Sequence, residues 1–131
     1  MSIMVAYDGS EASKEALSVA KAHAQAFKDE IEVVRAVEHS GDLEYADIDR
    51  LEQNLDKEIE TLMNGDNIPF KTTLLVGSST AGEEIVNHLA LKNSREICLG
   101  VRRRSKVGKL LFGSTAQYVI LNAPCAVVTT K

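Results

Sequence analysis

The sequence predicts an α/β chain: a single doubly wound five-stranded parallel sheet with helices on both faces, one domain over residues 1–131. Three observations carry this expectation. Strand-like and helix-like stretches alternate strictly along the chain. Successive strands are separated by enough residues for a helical crossover, which parallel pairing requires. The 131 residues, 44% of them apolar, also suffice to bury a core without a disulfide or metal staple. No linker, internal repeat or low-complexity stretch marks a second domain.

Residues 2 to 7 form a short apolar run that gives way to Asp8-Gly9-Ser10, which is turn chemistry, and then to Ala12, Ala16, Ala20, His23 and Phe27 at helical spacing. The Ser10 hydroxyl suits the cap of that helix, and Glu11 and Glu15 fall near the end where the helix dipole favours negative charge. Residues 31 to 37 read as a second, buried strand. Ile48, Leu51, Leu55, Ile59 and Leu62 then recur with helical periodicity among acids, an amphipathic helix stopped near Gly65. Phe70, Thr72, Leu74 and Val76 alternate as a strand does. Thr80 with Glu83 forms a capping box for a helix whose core face is Ile85, Val86 and Leu89. Residues 96 to 99 make a brief fourth strand. A last helix from about Ser114 ends before Pro124, because the residue ahead of a proline is pushed out of the helical region, and residues 125 to 129 supply the fifth strand.

The formal net charge of −4 hides a division along the chain. Residues 1 to 96 hold nine basic and nineteen acidic side chains, whereas residues 97 to 131 hold six basic and no acidic ones. Most of that positive charge sits on Arg102, Arg103, Arg104, Lys106 and Lys109, so the last quarter is suited to face an anion. Ligands of doubly wound sheets bind beyond the carboxyl ends of the strands, where strand order reverses. This points to the loops after the first and fourth strands, which carry Asp8-Gly9-Ser10 and the basic stretch. Nucleic acid is a poor partner for those cations: the domain as a whole is acidic, and none of its three Phe and three Tyr lies between positions 102 and 109 to stack on bases. No run approaches the roughly 20 apolar residues that span a bilayer, and the acidic N-terminal quarter has no basic-then-apolar signal segment, so neither membrane insertion nor secretion is expected. Cys98 and Cys125 lie in apolar runs far apart and read as buried thiols of a reducing cytoplasm.

The most informative stretch is GVRRRSKVGKLLFGSTAQ, residues 100 to 117. Glycine lets backbone approach a ligand closely, and a helix start offers unpaired N–H groups and a positive dipole end. Gly113, Ser114 and Thr115 are therefore placed to hold phosphate oxygens; the plainer reading is that Ser114 only caps a helix. A Walker A loop is not present, since Gly108-Lys109 has Arg103 where the first glycine belongs and Leu110 where the hydroxyl belongs. No nucleophile elbow, zinc-binding His-Glu-x-x-His helix or dinucleotide G-x-G-x-x-G occurs. His23, His39 and His88 are scattered and read as structural or solvated. No catalytic residue or metal ligand is assigned.

The opening V-A-Y-D-G-S, the pattern G-x2-G-x9-G-[ST] after the fourth strand, and the closing A-P-C-A-V-V together resemble the universal stress proteins over essentially the whole chain. The resemblance implies a Rossmann-like domain of the adenine nucleotide alpha hydrolase-like kind, cytoplasmic, binding ATP with any Mg2+ carried by the nucleotide, and forming a homodimer through the C-terminal edge strand. Carried over by position, Asp8 with the backbone of Ala6 and Tyr7 would meet the adenine or ribose, and Ala36 would line the adenine pocket. Leu99 and Gly100 would flank the ribose and phosphates, and Gly113, Ser114 and Thr115 would take the phosphate tail. The departure is Arg103, which stands at the second glycine of the pattern. Its guanidinium either pairs with phosphate oxygens as a planar donor fork or closes the pocket by bulk. Retained binding is the expectation, because Gly100, Gly113 and Ser114 keep the pattern and the added charge has the right sign. The chain thus reads as an ATP-responsive regulatory module of the stress response, signalling to a protein partner that the sequence does not identify, with no efficient catalysis. The alternative is a dimeric interaction scaffold whose phosphate pocket Arg103 occupies.

Overall fold

The computed structural model describes residues 1–38, 44–101 and 113–131. In chain order the elements are β1 (Ser2–Ala6), α1 (Glu11–Phe27), β2 (Glu30–Glu38), α2 (Tyr45–Met63), β3 (Phe70–Gly77), α3 (Ala81–Ala90), β4 (Ser94–Gly100), α4 (Ser114–Asn122) and β5 (Ala126–Thr130). The five strands form one sheet in the order β3-β2-β1-β4-β5, with every pairing parallel. This is the expected doubly wound sheet. Its order reverses beside β1, which pairs with β2 on one side and β4 on the other.

The pleat of β1 explains why both faces are covered. Ile3 and Val5, with Tyr7 just beyond the strand, point into a core with Leu17 and Ala20 of α1 and Leu55 and Ile59 of α2. Met4 and Ala6 point the other way, against Ile85 and Leu89 of α3 and Val119 of α4. A central strand with no exposed face reads as a continuous apolar run, and Ile3, Met4 and Val5 are all fully buried.

Local chemistry starts and stops the helices as their residues dictate. The Ser10 hydroxyl accepts from the Ser13 N–H at 3.2 Å, and the Thr80 hydroxyl from the Glu83 N–H at 3.3 Å, which is the serine/threonine half of the expected capping box. At α2 the Glu44 N–H donates to Asp47 at 3.2 Å. Gly9 has φ +85°, a conformation that lets β1 turn sharply into α1.

Two expectations shift. Pairing runs further than apolarity alone indicated: β4 begins at Ser94, opposite Ser2, and β5 spans Ala126–Thr130, one residue later than expected. Cys125 consequently lies in the turn before β5 and is only half-buried, whereas Cys98 is fully buried as expected. Burial, with Glu96 beside it, pushes the Cys98 thiol up to about 12, and burial also raises Cys125.

Candidate nucleotide cleft

At the carboxyl ends of the strands a cleft of about 230 Å³ opens between the starts of α3 and α4. Its floor is small and apolar: Ala6 from β1, Val34 and Ala36 from β2, and Leu99 and Gly100 from β4, all reached where strand order reverses. One rim is the turn after β1, with Tyr7, Asp8 and the side of Ser13. The other two rims are Ala81 and Ile85 of α3 and Gly113, Ser114, Thr115 and Ala116 of α4. Nine of the ten positions singled out from the sequence therefore border one cleft. Arg103 lies outside the described residues, as do the other basic side chains between positions 102 and 109 and His39.

The two helix starts differ in what they offer an anion. That of α3 is closed: Thr80 caps it, and Glu83 and Glu84 bring negative charge into its first turn. That of α4 has no side-chain cap among the described residues, because its N-cap is Gly113, and its first turn carries no acid. A Cβ added to Gly113 would meet nothing within 4 Å among the described residues. The polar, positive end of the cleft is thus at Gly113-Ser114-Thr115, and the apolar end is over Ala6, Val34 and Ala36.

The turn after β1 is held by its own hydrogen bonds. The Asp8 Oδ1 accepts from the Ser10 N–H at 2.9 Å, the Ser13 hydroxyl donates to the Ser10 carbonyl at 2.8 Å, and the Asp8 N–H lies 3.5 Å from the Ser13 oxygen. Tyr7 presents only its backbone side to the cleft. Its phenol is buried in the opposite core and donates to Glu58 of α2 at 2.5 Å, and burial, with Glu58 beside it, holds the hydroxyl well above its usual range. Gly100 is where close approach forbids a side chain: a Cβ there would come within 2.5 Å of the Ala12 carbonyl carbon.

Ser13, Val34, Ala81, Ile85 and Ala116 border the cleft without having been singled out. Signals for three of them were in the sequence. Val34 is two positions before Ala36 on the same strand face, Ala81 follows the Thr80 cap, and Ser13 is three positions after the Ser10 cap.

A wider hollow of about 800 Å³ lies at the other end of the sheet, bordered by Met1, Lys28, Asp29, Glu32, Lys71 and Lys92 among others. It faces the amino ends of the strands, where doubly wound sheets do not place their ligands. Its buried carboxylates are spoken for: Asp29 accepts from Arg95 at 2.6 Å, and Glu32 from Thr73 at 2.7 Å, with His88 Nε2 at 2.9 Å. His23 likewise pairs with Glu96. His23 and His88 are therefore structural, as read from the sequence. Among the described residues no group of His, Cys, Asp or Glu could hold a metal ion, and no helix is long and apolar enough to cross a membrane.

A parallel sheet whose order reverses at β1, with a small apolar floor and the start of α4 beyond it, defines a doubly wound α/β domain with a cleft at its switch point. The family model described as the universal stress protein family matches residues 1–131. A Thermus aquaticus protein described as a universal stress protein in a QAH/OAS sulfhydrylase 3′ region is 33% identical over 136 residues, covering 98% of this chain and 97% of that one. The structure of a universal stress protein from Archaeoglobus fulgidus superposes with a TM-score of 0.86 at 29% identity, covering 100% of this chain and 98% of that one. The universal stress protein from the same organism in complex with dAMP superposes with a TM-score of 0.82 at 25% identity, again covering 100% and 98%. The chain belongs to the universal stress protein family.

Proposed function

We propose that this chain is a regulatory module that binds ATP in the cleft at the switch point, with no efficient catalysis. The observation that supports the reading is the start of α4, where the N-cap is Gly113 and no side chain among the described residues caps the first amides. In this arrangement the adenine lies over Ala6 and Ala36, the ribose reaches Asp8, Leu99 and Gly100, and the phosphates meet Gly113, Ser114, Thr115 and the Arg103 guanidinium, with Mg2+ carried by the nucleotide. The dAMP bound by the Archaeoglobus fulgidus relative supports an adenine nucleotide as the ligand. Asp8 is the carboxylate among the described cleft residues, and it turns back onto the Ser10 N–H, which is poor placement for a base acting on a terminal phosphate. The module acts in the cytoplasm as a homodimer joined through β5, whose outer edge pairs with no strand of the described residues, and signals to a further protein.

Thermal unfolding with ATP and Mg2+ tests the reading. Ligand at about one hundred times its Kd adds roughly 2.7 kcal/mol of stability, so the melting temperature rises with ATP concentration. An unmoved melting temperature at millimolar ATP would select the scaffold in which Arg103 fills the phosphate pocket.

A further inference from the structure

The cleft is braced from outside by the end of the edge strand, and we propose that Thr130 is a positioning residue that sets nucleotide affinity without touching the nucleotide; this rests on the nucleotide reading above. Thr130 does not border the cleft, but it is bonded to two parts that do. Its hydroxyl donates to the Ala12 carbonyl at 2.8 Å, and its carbonyl accepts from the Val101 N–H at 2.7 Å. Ala12 lies in the first turn of α1, between the Ser10 cap and Ser13, whose hydroxyl holds the turn carrying Asp8. Val101 follows Gly100, the end of the cleft floor, and Gly100 is itself pressed against the Ala12 backbone so closely that no Cβ fits between them. Thr130 sits opposite Gly100 in the β4–β5 register.

The three residues make one small joint. Gly100 and Ala12 are in contact but share no hydrogen bond across that contact among those described, so the Thr130 hydroxyl is a polar tie that holds the start of α1 beside the carboxyl end of β4, far from the His23–Glu96 pair nearer the other end. A carbonyl in the first turn of a helix also accepts from within the helix, and the hydroxyl uses its second lone pair. Without that tie the start of α1 keeps its helical bonds but gains freedom against the sheet. The Asp8 turn and the Gly100 floor then no longer hold a fixed spacing, and the nucleotide must impose that spacing when it binds.

Titration calorimetry with ATP and Mg2+ on the full chain and three variants tests this. Thr130→Val keeps shape and β-branching but removes the hydroxyl; it is expected to weaken ATP binding about fivefold, the equivalent of one ordinary hydrogen bond. Thr130→Ser keeps the hydroxyl and is expected to bind as the unaltered chain does. Val128→Ala loosens β5 by trimming a side chain packed on the α1 core; it is expected to lower the melting temperature and leave ATP affinity unchanged, which a merely structural role of β5 would not allow. Equal affinities for Thr130→Val and the unaltered chain, a failure of Thr130→Ser to rescue, or an equal loss in Val128→Ala would each overturn the role of Thr130. Absence of ATP binding by the unaltered chain would instead overturn the nucleotide reading itself. Amide exchange without ligand, expected to quicken at residues 9 to 13 in Thr130→Val and to stay unchanged in Thr130→Ser, reads the joint independently of that result.

Discussion

Gly100 and Gly113 border the same cleft, yet the same kind of substitution acts oppositely at the two. Gly113 has φ −65° and ψ 162°, a backbone any residue adopts, and among the described residues nothing stands within 4 Å of the Cβ it would carry. Gly113→Val is therefore expected to keep the fold, at a small loss of stability from a poorer N-cap, while losing ATP binding, because the branched side chain enters the phosphate path. Retained affinity in that variant, measured by the thermal shift with ATP, would remove the phosphates from the start of α4. Gly100→Ala, by contrast, drives a methyl into the Ala12 backbone, which has no flexible end to yield. About 1–3 kcal/mol of destabilisation is expected, read as a lower urea midpoint. From the sequence both residues looked alike, as glycines of one pattern. Only the packing of α1 on β4 separates a glycine needed by the protein from one that leaves room for a ligand.

The elements were legible where a single local cause produces them. Ser10 and Thr80 cap α1 and α3 as their positions indicated, since an N-cap hydroxyl needs only the amide three residues on. Thr80→Ala is expected to cost about 1 kcal/mol, again measured by the urea midpoint, and to fray α3 from the end that borders the cleft. Ends set by pairing were less legible. β4 starts at Ser94 because Ser2 stands opposite to receive it, and no property of Ser94 or Arg95 taken alone announces a strand. The cleft shows the same division: Asp8, Gly113 and Ser114 carry turn and helix-start chemistry, while Ile85 and Ala116 reach the cleft only through the way α3 and α4 lie over the sheet.

At the scale of the molecule the two ends of the sheet carry different electrostatic burdens, and the amino end makes stability depend on acid. Glu32 on β2 is buried at 2% exposure, facing His88 of α3 and Thr73 and Lys71 of β3. Burial pushes its carboxyl up, but the hydrogen bonds from His88 and Thr73 and the nearby positive charge outweigh burial and hold it below its ordinary value. Asp29 is held low chiefly by the hydrogen bond from Arg95. A carboxyl with a lower pKa in the folded chain than in the unfolded one stabilises the fold at pH values above the unfolded pKa. That contribution drains as pH falls through the folded pKa, because the unfolded chain takes up the proton more readily, and it is gone once both states are protonated. Glu32→Gln keeps the shape and removes the charge. At pH 7 it is expected to cost about 1.5–3 kcal/mol, the range for hydrogen bonds to a charged group. The gap between the unaltered chain and Glu32→Gln, followed by urea unfolding from pH 7 downward, is expected to narrow below about pH 4, where free carboxyls protonate. A gap that stayed constant to pH 3 would mean that the Glu32 charge is not what stabilises the fold, and that its acid sensitivity resides in the Asp29 carboxyl instead.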